Sequence, residues 1–525
     1  MVNNLRSLRK FWLKIVLIIV ILLGIFFRLN NIDKKIYWHD EVYTSLRVAG
    51  YKDDQVLTTF FNGEIITAQD LLEFQKLSPK TILSDTIDSL IQNPEHPPLY
   101  YLFLRFWQDL FGSSIFINRS LSVLFSLLVF LGIYYLSEQL FNDNLVNLIS
   151  VTLVSISPIQ ILYAHEAREY SLWMLTIILS SIYFFKVIKF NKNIDWISYS
   201  LSLSATFYTS ILSIFIVLIN IIHIFLLRQL LDRKTKIKFI IFTIISCILF
   251  IPWLLIILMN LHILEEKTNW TNVEQSLVFL ANLWCLHFTS LFVDIGLPLY
   301  HWASYIFITL IFSLIFYSLF FVIKNTDKNI WLYLLLLIFI PTLGLILPDL
   351  IFGGIKSSMT RYFFPAYVGV YLVIAYTLTK KIAQKSNIWS IILGLIFTMS
   401  IVSNIISGNS ETWWNKAPSY YNAAIATIIN QAENPLVITQ NLDINKGNII
   451  SISHNLKPNT KLQLLNINTP IITHQEFDNI FIFNPSLEFI NQVENAYQSS
   501  LVLIHPFLYE VDFSKVKNTN KKGFN

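Results

Sequence analysis

Long apolar runs dominate the chain, broken by short polar connections, and each run has about the length a bilayer requires. A spanning helix needs about 20 mostly apolar residues, with tilt and kinks allowing fewer or more. Eleven segments fit, at residues 12–28, 115–138, 146–163, 170–188, 196–208, 210–228, 239–259, 300–323, 330–347, 362–379 and 388–407. Lys and Arg near their ends orient them, because basic groups stay on the cytoplasmic side. With Arg6, Arg9, Lys10 and Lys14 inside, strict alternation also puts four later groups inside. These are Lys186/Lys189/Lys192, Arg228/Arg233/Lys234/Lys236/Lys238, Lys324/Lys328 and Lys380/Lys381/Lys385. No small-x-small cleavage pattern follows Phe27, so the first run is expected to remain as a membrane helix rather than leave as a signal peptide.

One apolar stretch, Pro97 to Phe111, is set aside on charge grounds. Counting it as a span would put Lys186–Lys192 outside and reverse every later loop. It begins Pro-Pro, ends at Gly112, and offers only about 22 Å of helix. It is expected to lie as an interfacial helix on the outer side. The first outer loop then runs over residues 29–114 and holds Asp33, Asp40, Glu41, Asp53, Asp54, Asp85, Asp88 and Glu95. Its segments Ile65–Leu77 and Lys80–Gln92 carry apolar residues at helical spacing, as amphipathic helices on a membrane do. After the eleventh span the chain turns polar and Asn-rich. Short apolar runs at 435–439, 461–465, 479–483 and 501–504 alternate with helical patterns such as 421–431, which reads as a small α/β domain. The expected organisation is a polytopic α-helical membrane domain over 1–407 and an extracytoplasmic domain over 408–525, in the inner (plasma) membrane.

Composition agrees. The chain is 54% hydrophobic and 14% charged, more apolar surface than a soluble protein of this length can hide. The net charge of +5 is modest, and no nucleic-acid partner is expected. Cys247 and Cys285 stand in apolar surroundings and read as small buried hydrophobes.

Four unusual clusters share the predicted outer face. Tyr37-Trp38-His39-Asp40-Glu41 sets two carboxylates beside aromatic rings, which suits proton removal from an acceptor; alone, it equally fits a solvated acid pair. Glu95-His96-Pro97-Pro98-Leu99-Tyr100-Tyr101 fixes the chain before a helix start, where free N–H groups attract anions; His96 could bind phosphate there or cap the helix. His165-Glu166-Ala167-Arg168-Glu169-Tyr170 forms a turn between two spans, too tight to carry charge unless the groups are paired, functional or snorkelling. Thr360-Arg361-Tyr362 opens the tenth span, and its arginine fits an interfacial anchor or a bidentate phosphate ligand. Arg119 is a weaker candidate of the same kind. Transporters place ionisable groups at mid-membrane, whereas these spans are almost free of charge, so interfacial chemistry is favoured over a transporter or flippase.

Together the clusters resemble the glycosyltransferase C superfamily, in the branch of protein O-mannosyltransferases and the lipid A aminoarabinose transferase. The resemblance rests on Trp38-x-Asp40-Glu41, His96-Pro97-Pro98-Leu99-Tyr100-Tyr101, Glu166-Ala167-Arg168-x-Tyr170-Ser171-Leu172 and Arg361-Tyr362. It is dense over residues 1–190 and thinner from 190 to 410. Trp413-Trp414-Asn415 stands where relatives often carry Trp-Arg, and Tyr208-Thr209-Ser210 lacks a histidine common at that outer turn. Both departures bear on the acceptor. The resemblance implies a polyprenyl-phosphate-linked sugar as donor and a glycan, lipid or protein as acceptor. It implies Asp40 as general base, Glu41 in support, and Arg168, Arg361 and His96 on the donor phosphate. Trp38, Tyr100, Glu166, Tyr170, Tyr362 and Arg119 would line the substrate. Neither a metal nor another cofactor is expected.

Overall fold

A computed structural model describes residues 2–384, 387–442, 444–467, 469–474 and 476–513, with side chains from Phe11 onward. Lys385, and the side chains of Arg6, Arg9 and Lys10, lie outside the described residues. The chain folds into two compact units. One comprises Met1–Ile32, Leu90–Tyr100 and Arg119–Asn409; the other comprises Asp33–Ser89, Tyr101–Asn118 and Ser410–Asn525. The division departs from a single boundary near residue 408. Segments of the first outer loop group with the C-terminal residues, for a reason found in the sheet described below.

The first unit is helical. Among the described residues, eight helices are long and apolar enough to cross a membrane. A ninth arises if Asn144–Ile156 and Pro158–Ala164, bent by 58°, count as one span. The protein is thus a polytopic helical membrane protein. Two of the eleven expected spans, Asn193–Phe207 and Ile211–Leu226, form helices of shorter length. Helix Phe364–Ala383 is buried on every side from Phe364 to Thr379, which follows from a sequence apolar all round until Lys380. Gly369 lets it close on its neighbour, since a Cβ there would meet the Ile338 side chain at 2.6 Å.

The bent pair shows how the unit satisfies broken backbone. Pro158 has no N–H to offer the carbonyl of Val154, and Ser157 is extended. Fully buried Arg28 fills the gap: Nη2 donates to the Val154 carbonyl at 3.2 Å, and Nη1 donates to that of Ser155. Asn404 donates to the third freed carbonyl, Ile156, at 2.7 Å. Within a bilayer such groups need protein partners, because no water is available.

The second unit is built on a six-stranded sheet of β1 (Asn62–Thr67), β2 (Pro435–Gln440), β3 (Lys461–Leu465), β4 (Asn479–Phe483), β5 (Leu501–His505) and β6 (Leu508–Val511), in the order β1-β3-β2-β4-β6-β5. β2 pairs in parallel with β3 and β4, and the outer pairings are antiparallel. Leu436, Ile438, Ile480 and Ile482 pack with Phe489 and Val493 of helix Leu487–Tyr497. The four apolar runs after residue 434 are β2 to β5. The expectation of helix from Ile65 is corrected, because Ile65, Ile66 and Thr67 pair with Gln463, Leu462 and Lys461 of β3. Helix begins only at Ala68, behind a capping box in which Thr67 and Asp70 bond reciprocally. Those bonds hold the Asp70 carboxyl below its ordinary range. β1 thus completes a sheet whose other strands all come after residue 434, and this draws the first loop into the second unit. Leu83–Ile91 is helical, and Leu99–Phe111 is a 13-residue helix ended by Gly112 at φ +93°.

Candidate functional site

In the first unit, one cluster gathers residues from three distant parts of the sequence. Arg168 lies in the turn before helix Tyr170–Phe190 and is 3% exposed. Its Nε stands 3.3 Å from Glu169 Oε2, and its Nη2 donates to Glu169 Oε1 at 3.3 Å. His96 Nδ1 lies 4.0 Å from Glu169 Oε1, and His96 Nε2 lies 3.6 Å from Glu95 Oε1. The guanidinium carbons of Arg168 and Arg361 stand 5.8 Å and 5.6 Å from the centre of the same Tyr170 ring. Arg361 also lies over Tyr362, at 5.7 Å. Each arginine gains cation–π attraction from a ring face, and Glu169 sets a carboxylate beside Arg168. Such a pair of planar forks suits a phosphate or diphosphate oxygen cluster.

The turn that presents Arg361 has its own scaffold. Gly353 and Gly354 take φ of +76° and +118° after helix Lys328–Phe352. Asp349 Oδ2 accepts from the Ser357 N–H at 2.6 Å, and Trp284 Nε1 donates to Ser357 Oγ at 2.8 Å. His287 Nδ1 and Thr360 Oγ1 are 2.6 Å apart.

The remaining sequence candidates of this unit sit deeper. Tyr100 is fully buried, with its hydroxyl 2.7 Å from Ser122 Oγ, which in turn donates to the Arg168 carbonyl at 3.2 Å. Arg119 is fully buried and donates to the Ile32 carbonyl at 2.9 Å. Glu166 is fully buried. Through Ser122, Tyr100 braces the backbone that carries Arg168.

In the second unit, Asp40 and Glu41 open helix His39–Val48 and behave differently. Asp40 is 20% exposed, with His39 Nδ1 at 3.4 Å. Glu41 is wholly buried and pairs with the equally buried Lys416 at 3.3 Å. Lys416 Nζ also lies 5.3 Å from the centre of the Trp38 ring. Trp38 and Glu41 therefore anchor the helix start from within, and Asp40 is the carboxylate left at the surface. The helix entry is fastened again by the His39 N–H, which donates to Ser419 Oγ at 3.0 Å. Beside Asp40 stands half-buried Tyr43, whose hydroxyl is pushed well above its ordinary range by desolvation and then by Asp53, with Asp40 adding to the rise against Arg47. Gly447 permits this packing, because a Cβ there would meet the His39 ring at 2.4 Å.

Sequence reasoning brought Arg168, Arg361, His96, Tyr170 and Tyr362 to one place. It missed Glu169 as the partner of both Arg168 and His96, although that residue lies inside the quoted motif. It also missed Lys416, which follows directly on Trp413-Trp414-Asn415, where an arginine was sought. Among the described residues no group of three or more His, Cys, Asp or Glu is placed to hold a metal ion.

Residues 95–256 match the family model described as dolichyl-phosphate-mannose-protein mannosyltransferase. The fold is similar to that of ArnT from Cupriavidus metallidurans, solved bound to undecaprenyl phosphate, at 10% identity and TM-score 0.56, covering 95% of this chain and 97% of that one. Its apo structure matches at 10% identity and TM-score 0.54, covering 96% and 98%. The Archaeoglobus fulgidus oligosaccharyltransferase tethered to an acceptor peptide matches at 14% identity and TM-score 0.50, covering 87% of this chain and 64% of that one. No curated protein matches by sequence. The family match spans residues 95–256, and the likeness to these solved structures extends over the fold.

Proposed function

We propose that the protein transfers a sugar from a polyprenyl-phosphate carrier to an acceptor hydroxyl at the outer face of the plasma membrane. The observation that carries this reading is the convergence of Arg168 and Arg361 on one Tyr170 ring. A phosphate leaving group is already acidic, so its departure chiefly needs fixed positive charge where negative charge develops. Arg168 and Arg361 supply it, with His96 held beside them through Glu169. Asp40 takes the proton from the acceptor hydroxyl as oxygen attacks the anomeric carbon, and the carbon–phosphate oxygen bond breaks. Glu41 acts in support, by fixing the helix that carries Asp40.

The phosphate role and an anchoring role make different demands on Arg361. An anchor needs only charge on a flexible stem, which Lys also has; a bidentate ligand needs the planar fork. Arg361→Lys is expected to fold normally yet lose turnover roughly ten- to a hundred-fold, the worth of a charge-assisted hydrogen bond. Arg361→Ala is expected to weaken donor binding as well. Initial rates with a purified polyprenyl-phosphate sugar at several donor concentrations measure both. Wild-type kinetics in the Lys variant would make Arg361 an anchor.

The outer-face placement carries its own test. In a background without Cys247 and Cys285, Gln69→Cys and Lys457→Cys are exposed positions expected to react with a membrane-impermeant maleimide in intact cells. Lys234→Cys is expected to react only after lysis. The reverse pattern refutes the topology.

A further inference from the structure

A second polar site lies at the other end of the helices that carry the arginine cluster. Helix Tyr170–Phe190 starts in that cluster and runs 21 residues, about 30 Å. It ends at a cavity of about 220 Å³ lined by Phe185, Ile188, Lys189, Gln139, Asp327 and Asn329. The basic residues around this end, Lys186, Lys192, Lys324 and Lys328, are those the charge distribution puts on the cytoplasmic side.

The polar groups of this cavity are unsatisfied within the protein. Gln139 Oε1 and Asn329 Oδ1 are buried acceptors with no hydrogen-bond partner among the described residues. Buried polar groups almost always have a partner, so each exception calls for a ligand or another explanation. Asp327 stands at the N-cap of helix Lys328–Phe352, yet its side chain makes no cap bond, although that is the usual use of an aspartate there. Lys189 faces only the Phe190 ring, at 5.3 Å, and makes no ion pair among the described residues.

Three acceptors, one of them a full negative charge, together with one ammonium donor, describe the ligand by complement. It carries a group with three N–H donors and, a short distance away, an anion. We propose that the cavity holds the head group of a phosphatidylethanolamine-type lipid. The primary ammonium is taken by Asp327, Gln139 and Asn329, and the phosphate by Lys189. Phe185 and Ile188 supply the apolar wall that a lipid needs, and the ends of membrane helices are where head groups lie. A quaternary ammonium has no N–H and leaves the amide oxygens unsatisfied. An anionic glycerol head group leaves Asp327 without a counter-charge. The site is independent of the sugar-transfer reading.

Native mass spectrometry of the delipidated full-length protein tests it, with phosphatidylethanolamine, phosphatidylcholine and phosphatidylglycerol of identical acyl chains added at equal concentration. Phosphatidylethanolamine is expected to be retained about tenfold more than the other two. Asp327→Asn and Lys189→Met are each expected to reduce its retention to the level of phosphatidylcholine. Both side chains are exposed, so lipid-free thermal unfolding of the two variants is expected to match wild type. Equal retention of the three lipids overturns the proposal, and so does undiminished phosphatidylethanolamine binding in both variants. Displacement of the lipid by equimolar free phosphoethanolamine overturns the assignment to a lipid.

Discussion

Asp40→Asn is expected to reduce sugar transfer by about 10²–10⁴-fold, the range a positioned general base contributes, with expression and membrane insertion unchanged. The substitution keeps the size of the side chain and its place at the start of helix His39–Val48, and removes only the capacity to hold the acceptor's proton. The two acids of the motif differ in burial, Asp40 at 20% exposure and Glu41 at none, so the base is assigned to the one an acceptor can reach. The decisive measurement is product formed per enzyme at saturating donor, with the variant's insertion checked by size-exclusion profile. Retention of more than about a tenth of wild-type activity is incompatible with a base at this position. Glu169 and Glu95 would then be the carboxylates to examine.

The largest expected loss of stability follows from Lys416→Met. Lys416 and Glu41 are both wholly buried, 3.3 Å apart, and removing one partner of a buried pair strands the other charge, at a cost of about 3–5 kcal/mol. Thermal unfolding in detergent should show a clear fall in midpoint for Lys416→Met. The double variant Lys416→Met with Glu41→Gln should recover most of it, because no buried charge is then left alone. Wild-type unfolding in the single variant would mean that water reaches the pair.

Periodicity and charge exposed what is local. The apolar runs gave the membrane helices, and the resemblance drew attention to Arg168 and Arg361, which meet at Tyr170. What stayed hidden is non-local. Ile65 and Ile66 fit a helix or a strand equally well on pattern alone, and only their pairing with β3, some 400 positions later, decides between them. Glu41 looked like a second surface acid because its partner, Lys416, is separated from it by 375 residues. The scaffold behind Arg361 was equally silent. Nothing in the apolar context of His287 announces that its ring stands 2.6 Å from Thr360 Oγ1. The short helix Leu99–Phe111 was legible because Pro97-Pro98 and Gly112 mark both of its ends in the sequence itself.

The buried Arg28 has a consequence for how the protein is made. It closes the first membrane helix, and one of its acceptors, the Gly24 carbonyl, lies on that helix, but the others are Ser126, Val154 and Ser155, residues the ribosome has not yet produced when the helix emerges. At about 5–20 residues per second, the guanidinium waits many seconds for the carbonyls that neutralise its cost in hydrocarbon. During that interval the end of the first helix has to stay among the lipid head groups or beside an insertion partner. Shortening Arg28 should show first as nascent-chain degradation in cells, before any defect in the finished enzyme.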